Sequence, residues 1–410
     1  PAEEPLYLQR WGLLREFTTL SVLLHSINRA RVYKALASHG LLRAISLALG
    51  EAVGGREYGH GLWVPRVGNS GWRNAIDSQV RALDVLLNVL NHDPAVVRLA
   101  CVANAGEETQ AWGGGRKEAR SLVCSLVRLL GESSDEGLII QASEAMRILI
   151  DPSSMEASEQ NAFLDFLYGS GQMASILSML RARAHETLLD GQTAHLPAVS
   201  TSSAPDAAHV KAGESTTPGA EGAGYAGPRV CRIEALLDVV WSALGVHGYR
   251  SQRLTQDDNL WMALADLLTQ PRGSLRGNAA RLLRAVITTH PTCAGKVQEY
   301  ELIKLLIAQL WTRPAADGAP RDNLANSSVL ALLQCIVEHE GLGPLRTFLL
   351  TGRHLSDMRN LAAHRVIPAI NMLQGASIDL AASPQHTADT ATVPSQESSA
   401  AERAHAAAAA

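Results

Sequence analysis

Two short segments contain residue types that could bind phosphate or attack a substrate. Gly113–Gly115 followed by Arg116 and Lys117 resembles a phosphate-binding loop, but the GxxxxGK[ST] spacing is missing and no strand precedes it. Gly169-Ser170-Gly171 lacks the spacing of a nucleophile elbow, in which a strand leads into the serine. We therefore expect a turn before a helix at the first segment, a helix break at the second, and no catalytic residue. The chain is not expected to be an enzyme.

The histidines and cysteines do not have the spacing of a metal site. No two histidines lie four residues apart around a glutamate, which is the arrangement of helical zinc sites. The five cysteines are odd in number and widely separated, which is typical of buried thiols in a reducing compartment. We expect no metal and no cofactor, and a protein of the nucleus and cytoplasm.

The elements that carry these residues are predicted to be helices throughout. The chain is 46% hydrophobic but only 4% aromatic, which favours helices packed through aliphatic side chains over sheets. Apolar residues recur every three or four positions, so that they fall on one helix face. The clearest example comprises Leu275, Ala279, Leu282, Leu283 and Val286. Helix starts are predicted at capping residues, among them Asp77 or Ser78, Asp135, Asp257 and Asp322.

Helix pairs recur at a roughly constant interval. Predicted pairs starting near Ile76, Arg116 and Ser158, and again near Arg232, Leu275 and Asn323, are separated by 40, 42, 43 and 48 residues. Armadillo and HEAT repeats have periods of about 40 to 47 residues, and each repeat buries its apolar face against the next. The sequence therefore predicts an all-α, armadillo or HEAT-like helical-repeat superhelix, or α-solenoid.

Composition divides this predicted solenoid into two helical blocks, residues 6–184 and 229–374. A Gly-rich insert at 51–74 is predicted inside the first block, and a disordered tail at 375–410. Residues 185–228 are rich in Ser, Thr, Ala, Gly and Pro. Ordering them would cost about 40 to 90 kcal/mol of backbone entropy, against about 9 to 18 kcal/mol from their few large apolar side chains. A disordered linker is predicted there.

Charge and hydropathy exclude some partners. The net charge is -4, and residues 229–375 are mildly basic, with 16 Lys and Arg against 12 Asp and Glu. A nucleic-acid binder would have a denser basic stripe and stacking aromatics, so nucleic-acid binding is not expected. No apolar run approaches the roughly 20 residues of a membrane span, so no membrane association is expected.

Several segments resemble one known family in the same order along the chain. The run Met146–Met155 (MRILIDPSSM), followed by Phe163–Tyr168 (FLDFLY), is similar to a characteristic region of the regulatory subunit 3 family of protein phosphatase 4, also called SMEK. His247-Gly248-Tyr249 falls where that family has a His-x-Tyr, and Arg321–Val329 (RDNLANSSV) resembles another of its segments. The resemblance covers about residues 8–355, the armadillo-like domain of the family.

The resemblance implies a non-catalytic regulatory and scaffold subunit of the phosphatase 4 complex. Its implied partners are the phosphatase 4 catalytic subunit, a second phosphatase 4 regulatory subunit, and phosphoprotein substrates bearing phosphoserine or phosphothreonine. Two other functions stay open from the residues alone. One is a general armadillo-type adaptor or transport protein that binds extended peptides, and the other is a hydrolase built on a helical scaffold.

Polar residues in the second block are the candidates for protein contact. Asparagines on an armadillo helix can hydrogen-bond an extended partner, although capping and contacts between repeats are the more common use. A turn residue can likewise serve packing or contact, and scattered arginines are often only a solvated face. The candidates are Arg321, Asn323 and Asn326 near one helix start, His247 and Tyr249 in a turn, and the arginines Arg250, Arg253, Arg276, Arg281 and Arg284.

Overall fold

The computed structural model describes residues 41–51, 69–110, 122–193, 227–311, 323–350 and 354–363. Within these ranges the chain forms α-helices and short 3-10 helices and no β-strand, so the all-α prediction is confirmed. The helices are α1 (Leu41–Glu51), α2 (Asn69–His92), α3 (Pro94–Gln110), α4 (Leu122–Glu132), α5 (Glu136–Ile150), α6 (Ala157–Gly169), α7 (Gln172–Thr193), α8 (Pro228–Val246), α9 (Gln252–Gln256), α10 (Asp258–Leu268), α11 (Gly273–Thr289), α12 (Ala294–Glu299), α13 (Leu302–Trp311), α14 (Leu324–Glu338), α15 (Gly343–Leu350) and α16 (His354–Ala363).

Ten of the helices stack in two layers. In the A layer, α1, α4, α7, α10 and α13 each pack against the next, and in the B layer α2, α5, α8, α11 and α14 do the same. Helices α3, α6, α9 and α12 each connect a B helix to the A helix of the following repeat, and α15 follows the last B helix, α14. Three helices per repeat is the armadillo arrangement, and the predicted α-solenoid is confirmed.

Successive repeats turn the same kind of corner after each B helix. From α5 onward, a 3-10 helix follows each B helix and precedes the next α-helix, which is α6, α9, α12 or α15. The residues between the B helix and the 3-10 helix are Asp151, His247, His290 and His339. The Asp151 side chain accepts the Ser153 N–H and the His339 side chain accepts the Gly341 N–H, so these two residues cap the 3-10 helices that follow them.

The core lies between the two layers and is aliphatic. The predicted face of α11 is buried, with Leu275, Ala279, Leu282, Leu283 and Val286 at 1% exposure or less. Burial of each large aliphatic side chain contributes about 1.5 to 3 kcal/mol, so the interface between layers is the main source of stability. Helix α13 buries Leu302, Ile303, Leu306, Ile307 and Leu310 in the same way.

Some predicted helix starts are confirmed and others are wrong. The Asp135 carboxylate accepts the Leu138 N–H at 2.9 Å and caps α5, and Asp257 accepts the Asn259 N–H at 2.9 Å and caps α10. Asp77 and Ser78 are not caps, because α2 begins earlier, at Asn69. The Gly-rich insert predicted at 51–74 therefore ends in helix, while residues 52–68 lie outside the described part of the chain.

The two predicted blocks form one continuous stack. Across the linker, α8 packs against α5 and α7, and α10 packs against α7. The Gln270 side chain donates from Nε2 to the Ala184 carbonyl at 2.9 Å, and the Arg181 Nη1 donates to Asn259 Oδ1 at 3.1 Å. Helix α7 extends to Thr193, so the predicted start of the linker at residue 185 is wrong. Residues 194–226 and the predicted tail at 375–410 lie outside the described ranges.

Candidate protein-interaction surface

His247 is a packing residue at the corner after α8. It is 3% exposed, and its Nε2 lies 2.9 Å from the Ile150 carbonyl, to which it must donate. The neutral imidazole then accepts at Nδ1 from the Tyr168 hydroxyl, 2.9 Å away. Burial lowers the pKa of His247 and raises the pKa of Tyr168, so both groups are kept uncharged. A side chain enclosed in this way is not available to a partner protein.

The rest of this corner divides between packing and exposure. Gly248 has a φ of +54°, a conformation that favours glycine, and the turn it makes leaves Tyr249 73% exposed. Arg250 is buried, with Nε donating to Asp165 Oδ1 at 2.9 Å and Nη2 to Asn161 Oδ1 at 3.0 Å. Its guanidinium also lies 4.7 Å from the centre of the Tyr249 ring.

Of the candidates near this corner, Tyr249 and Arg253 remain accessible to a partner. Arg253 lies on α9, in the helix that follows the turn, and its side chain is exposed. The other two candidates at this corner, His247 and Arg250, are instead held by contacts with α5 and α6.

The two asparagines near the start of α14 serve the fold. Asn323 caps the helix, because its Oδ1 accepts the Asn326 N–H at 2.9 Å. Asn326 is itself buried within α14, at 6% exposure. An extended partner could not reach it without displacing the helix. Arg321 lies outside the described residues.

The three arginines of α11 differ in their surroundings. Arg276 donates from Nη1 to the Gln270 carbonyl at 3.0 Å, which satisfies a group just beyond the end of α10. Arg281 and Arg284 are exposed, and neither forms an ion pair with an acidic group of the described residues. The structure therefore separates one structural arginine from two that are available for contact.

Large side chains are exposed on the same side of the B layer. The inner B helices α5, α8 and α11 have neighbours on both sides within their layer. An A helix packs behind each of these and behind α14, so their exposed residues face away from the A layer. Ile140 on α5 is 61% exposed, Trp241 on α8 is 43% exposed, and Leu324 on α14 is 70% exposed. We call the surface formed by Ile140, Trp241, Arg281, Arg284 and Leu324 the B-layer face.

Charge varies along the B-layer face from one helix to the next. On α8, burial raises the pKa of Glu234 and of Asp238, and the positive charge of Arg147 on α5 lowers that of Asp238. On α14, burial raises the pKa of the Cys335 thiol, and Arg284 on α11 lowers it. Asp238 of α8 therefore lies near Arg147 of α5, whereas α11 contributes only positive charge to the surface.

A family model described as phosphatase 4 regulatory subunit 3 matches residues 9–373, which is most of the chain. The chain belongs to the phosphatase 4 regulatory subunit 3 family. No individual curated protein matches it significantly. The match extends across the region between α7 and α8, in agreement with the continuous packing of the two predicted blocks. Membership makes this chain a regulatory subunit of phosphatase 4.

The segment that carries the family resemblance at residues 146–155 has a structural role in this regulatory subunit. The end of α5 leaves carbonyls without partners inside the helix. Arg98 on α3 is fully buried, and it donates from Nη2 to Ile148 O at 2.7 Å and from Nε to Leu149 O at 2.8 Å. Together with the bond from His247 to Ile150 O, these contacts satisfy the last three carbonyls of α5.

Arg98 also fixes the turn that follows α5 in this subunit. Its Nη1 donates to Ser154 O and to Glu159 Oε1, each at 3.1 Å, and its Nη2 donates to Ser154 Oγ at 2.7 Å. The Asp151 carboxylate accepts the Ser153 hydroxyl at 2.7 Å and the Ser153 N–H at 3.0 Å, and these two bonds hold the pKa of Asp151 below its usual range. The Asp-Pro step is therefore a corner fixed by hydrogen bonds, although its own residues are half-buried or exposed. Sequence reasoning missed Arg98, and its one signal is a charge inside the apolar run Pro94–Cys101.

Cysteines and acidic groups in the described ranges do not assemble into a metal centre. No group of three or more His, Cys, Asp or Glu side chains there could hold a metal ion. All five cysteines are free thiols, and burial raises the pKa of Cys101 to about 12 and that of Cys293 to about 11. Thiols held protonated in this way are poor nucleophiles and poor metal ligands.

A search of the described helices finds none that could cross a membrane alone. The bent pair Ile76–His92 and Pro94–Ala103, with 111° between its halves, is long and apolar enough only when the two are taken together.

Proposed function

We propose that this chain binds the phosphatase 4 catalytic subunit together with a second regulatory subunit, and helps direct the enzyme to phosphoserine and phosphothreonine substrates. The observation that carries this proposal is the family match over residues 9–373, which includes every described helix. A stack of helical repeats suits the role, because it presents long continuous faces on a rigid frame. On this proposal the chain supplies contacts and no chemistry.

The candidate residues support this proposal to different degrees. Those that remain exposed are Tyr249, Arg253, Arg281 and Arg284, and the B-layer face adds Trp241. Trp, Tyr and Arg are the residue types that most often dominate the binding energy of protein interfaces. A general adaptor for basic localisation peptides is the weaker alternative, because α11 presents arginines where such a peptide would need acidic groups.

The proposal is tested by affinity capture from cell lysate, with the full chain carrying a tag. We expect the phosphatase 4 catalytic subunit and a second regulatory subunit in the captured material, and phosphate release from a phosphoserine peptide by that material. The purified chain alone should release none. The Arg98→Ala variant, in which the corner after α5 loses its contacts, should capture less of the phosphatase, because binding requires the folded repeat stack. If the unaltered chain captures no phosphatase 4 catalytic subunit, the proposal is wrong.

A further inference from the structure

Helix α11 is unusually one-sided in its charge. It contains Arg276, Arg281 and Arg284 and no acidic residue. Other arginines of the described chain lie against carboxylates or carbonyls, among them Arg98, Arg147, Arg183 and Arg250. Arg281 and Arg284 are exposed and three residues apart, so both guanidinium groups lie on one side of the helix. Their charge is therefore available to a group outside the chain.

Apolar side chains flank these two arginines on the neighbouring helices. Trp241 occupies the same position relative to the end of α8 as Arg284 does relative to the end of α11, and the two helices pack side by side. On the other side, α14 begins with the exposed Leu324, and Gly277 of α11 lies close to it. Two arginines without an ion pair to the described residues thus lie between an exposed tryptophan and an exposed leucine. Trp and Arg are enriched at the centres of protein interfaces.

The surrounding charges indicate the sign of the partner. The acidic groups on α8 are Glu234 and Asp238. Burial raises the pKa of Asp238, and the positive charge of Arg147 on α5 opposes that rise, so Asp238 lies near Arg147. On α14, Glu338 at the end of the helix accepts a hydrogen bond from Gln334 Nε2 at 2.8 Å. Asp238 and Glu338 each have a partner within the chain. Arg281 and Arg284 form no ion pair with an acidic group of the described residues, so the uncompensated charge on this surface is positive and favours a negatively charged segment.

We infer that the B-layer face binds an extended acidic segment of a partner protein in the phosphatase 4 complex. Arg281 and Arg284 pair with carboxylates of the segment, and Trp241 and Leu324 contact an apolar side chain between them. The inference rests on the proposed function for the origin of the segment. The binding surface itself is argued from the charges and exposures of α8, α11 and α14.

The first experiment measures binding of fluorescein-labelled peptides to the full chain by fluorescence anisotropy at low salt. The probes are GEELEELEEG, its basic counterpart GKKLKKLKKG, and GEEAEEAEEG, which lacks the apolar side chains. We expect the chain to bind GEELEELEEG and not GKKLKKLKKG. The double variant Arg281→Glu/Arg284→Glu should weaken binding at least about tenfold, because two attractive pairs become repulsive. Equal binding of the acidic and basic peptides would overturn the inference.

A matched control separates the site from total charge. Arg43→Glu/Arg359→Glu changes the net charge of the chain by the same amount at two exposed positions on α1 and α16. We expect this control to bind GEELEELEEG within about twofold of the unaltered chain, since distant surface charges are screened by salt. An effect as large as that of the α11 double variant would mean general attraction and would overturn the site.

Trp241→Ala tests the apolar half of the surface. It should weaken binding of GEELEELEEG about fivefold and leave GEEAEEAEEG unchanged, because only the first peptide offers a leucine to the ring. Equal loss for both peptides would show that Trp241 does not contact the apolar side chain. Arg281→Gln/Arg284→Gln removes the charges with less disturbance to the helix, and it should also weaken binding of the acidic peptide.

Affinity capture distinguishes failure of the inference from failure of the proposed function. With the α11 double variant, we expect reduced capture of the phosphatase 4 complex. Unchanged capture would overturn the assignment of the acidic segment to that complex. If the unaltered chain itself captures no phosphatase 4 subunit, the proposed function fails, and the peptide measurements still decide whether the B-layer face binds acidic segments.

Discussion

At the corner between α5 and α6, Arg98 is surrounded by carbonyls and a carboxylate, whereas Arg281 and Arg284 on the B-layer face are surrounded by solvent. All three are arginines on helices of the same stack. A buried arginine must use its donors within the fold, since an unpaired buried charge costs several kcal/mol. An exposed arginine contributes little to folding. The corner between α5 and α6 therefore stabilises the fold, whereas the arginines of the B-layer face are available for recognition of a partner.

The largest effect is expected at the corner. Arg98→Ala should lower the free energy of unfolding by about 3 to 5 kcal/mol, because the carbonyls of Ile148 and Leu149 and the carboxylate of Glu159 lose their donor. Urea denaturation followed by circular dichroism measures this. Arg147→Ala, an exposed arginine at the other side of α5, is the control and should change stability by less than about 0.5 kcal/mol. A loss below about 1 kcal/mol at Arg98 would contradict the assignment of the corner.

A smaller effect is expected at His247. His247→Ala should cost about 1 to 3 kcal/mol, because the Ile150 carbonyl and the Tyr168 hydroxyl both lose a buried partner. Tyr168→Phe removes only the hydroxyl and should cost less, about 0.5 to 1.5 kcal/mol. Both values come from the same denaturation experiment. If His247→Ala is as stable as the unaltered chain, the imidazole does not hold the corner.

The same histidine should make stability depend on pH. Burial lowers the pKa of His247 in the folded state, so the unfolded chain binds more protons below the ordinary histidine pKa of about 6.5. The stability that the neutral imidazole gives is therefore present above that pH and is lost as the pH falls below it. Denaturation curves between neutral and mildly acidic pH should show this decrease. The decrease should be smaller in His247→Ala, and an identical pH profile in that variant would contradict the prediction.

The smallest effect is expected on the B-layer face. Arg281→Ala and Arg284→Ala should each change the free energy of unfolding by less than about 0.5 kcal/mol, as for surface substitutions that remove no buried contact. The thermal midpoint of each variant should coincide with that of the unaltered chain. A large destabilisation would show that these arginines serve the fold, and it would remove the contrast with Arg98.

Sequence periodicity predicts the helices and the repeat well, but it cannot predict the corners. The apolar positions of α11 recur at helical spacing, and Asp135 and Asp257 are recognisable caps because their partners are two or three residues away. Arg98 bonds to carbonyls about fifty residues away, and backbone carbonyls carry no sequence signal. The predicted start of the linker at residue 185 is wrong because α7 continues to Thr193. Within this extension, Glu186 forms an ion pair with Arg183.

The sequence suggests which residues could contact a partner, but it does not show which of them are buried in the fold and which are accessible. Asn323 and Asn326 are equally compatible with capping and with peptide binding until burial is known. Arg250 and Arg253 are three residues apart, yet Arg250 donates to Asp165 and Arg253 is exposed to solvent. Trp241 was missed, because an aromatic residue in an apolar helix is most simply read as core.

The packing of α7 against α8 and α10 has a consequence for how the chain can be divided. The helices before and after residues 194–226 are held together by buried surface and by the bond from Gln270 to the Ala184 carbonyl. The two parts of the stack therefore do not depend on the covalent link between them to stay packed. The two pieces, expressed separately and mixed, should reassemble as a split protein. The length of the connecting segment can then be changed without altering the repeat stack on either side.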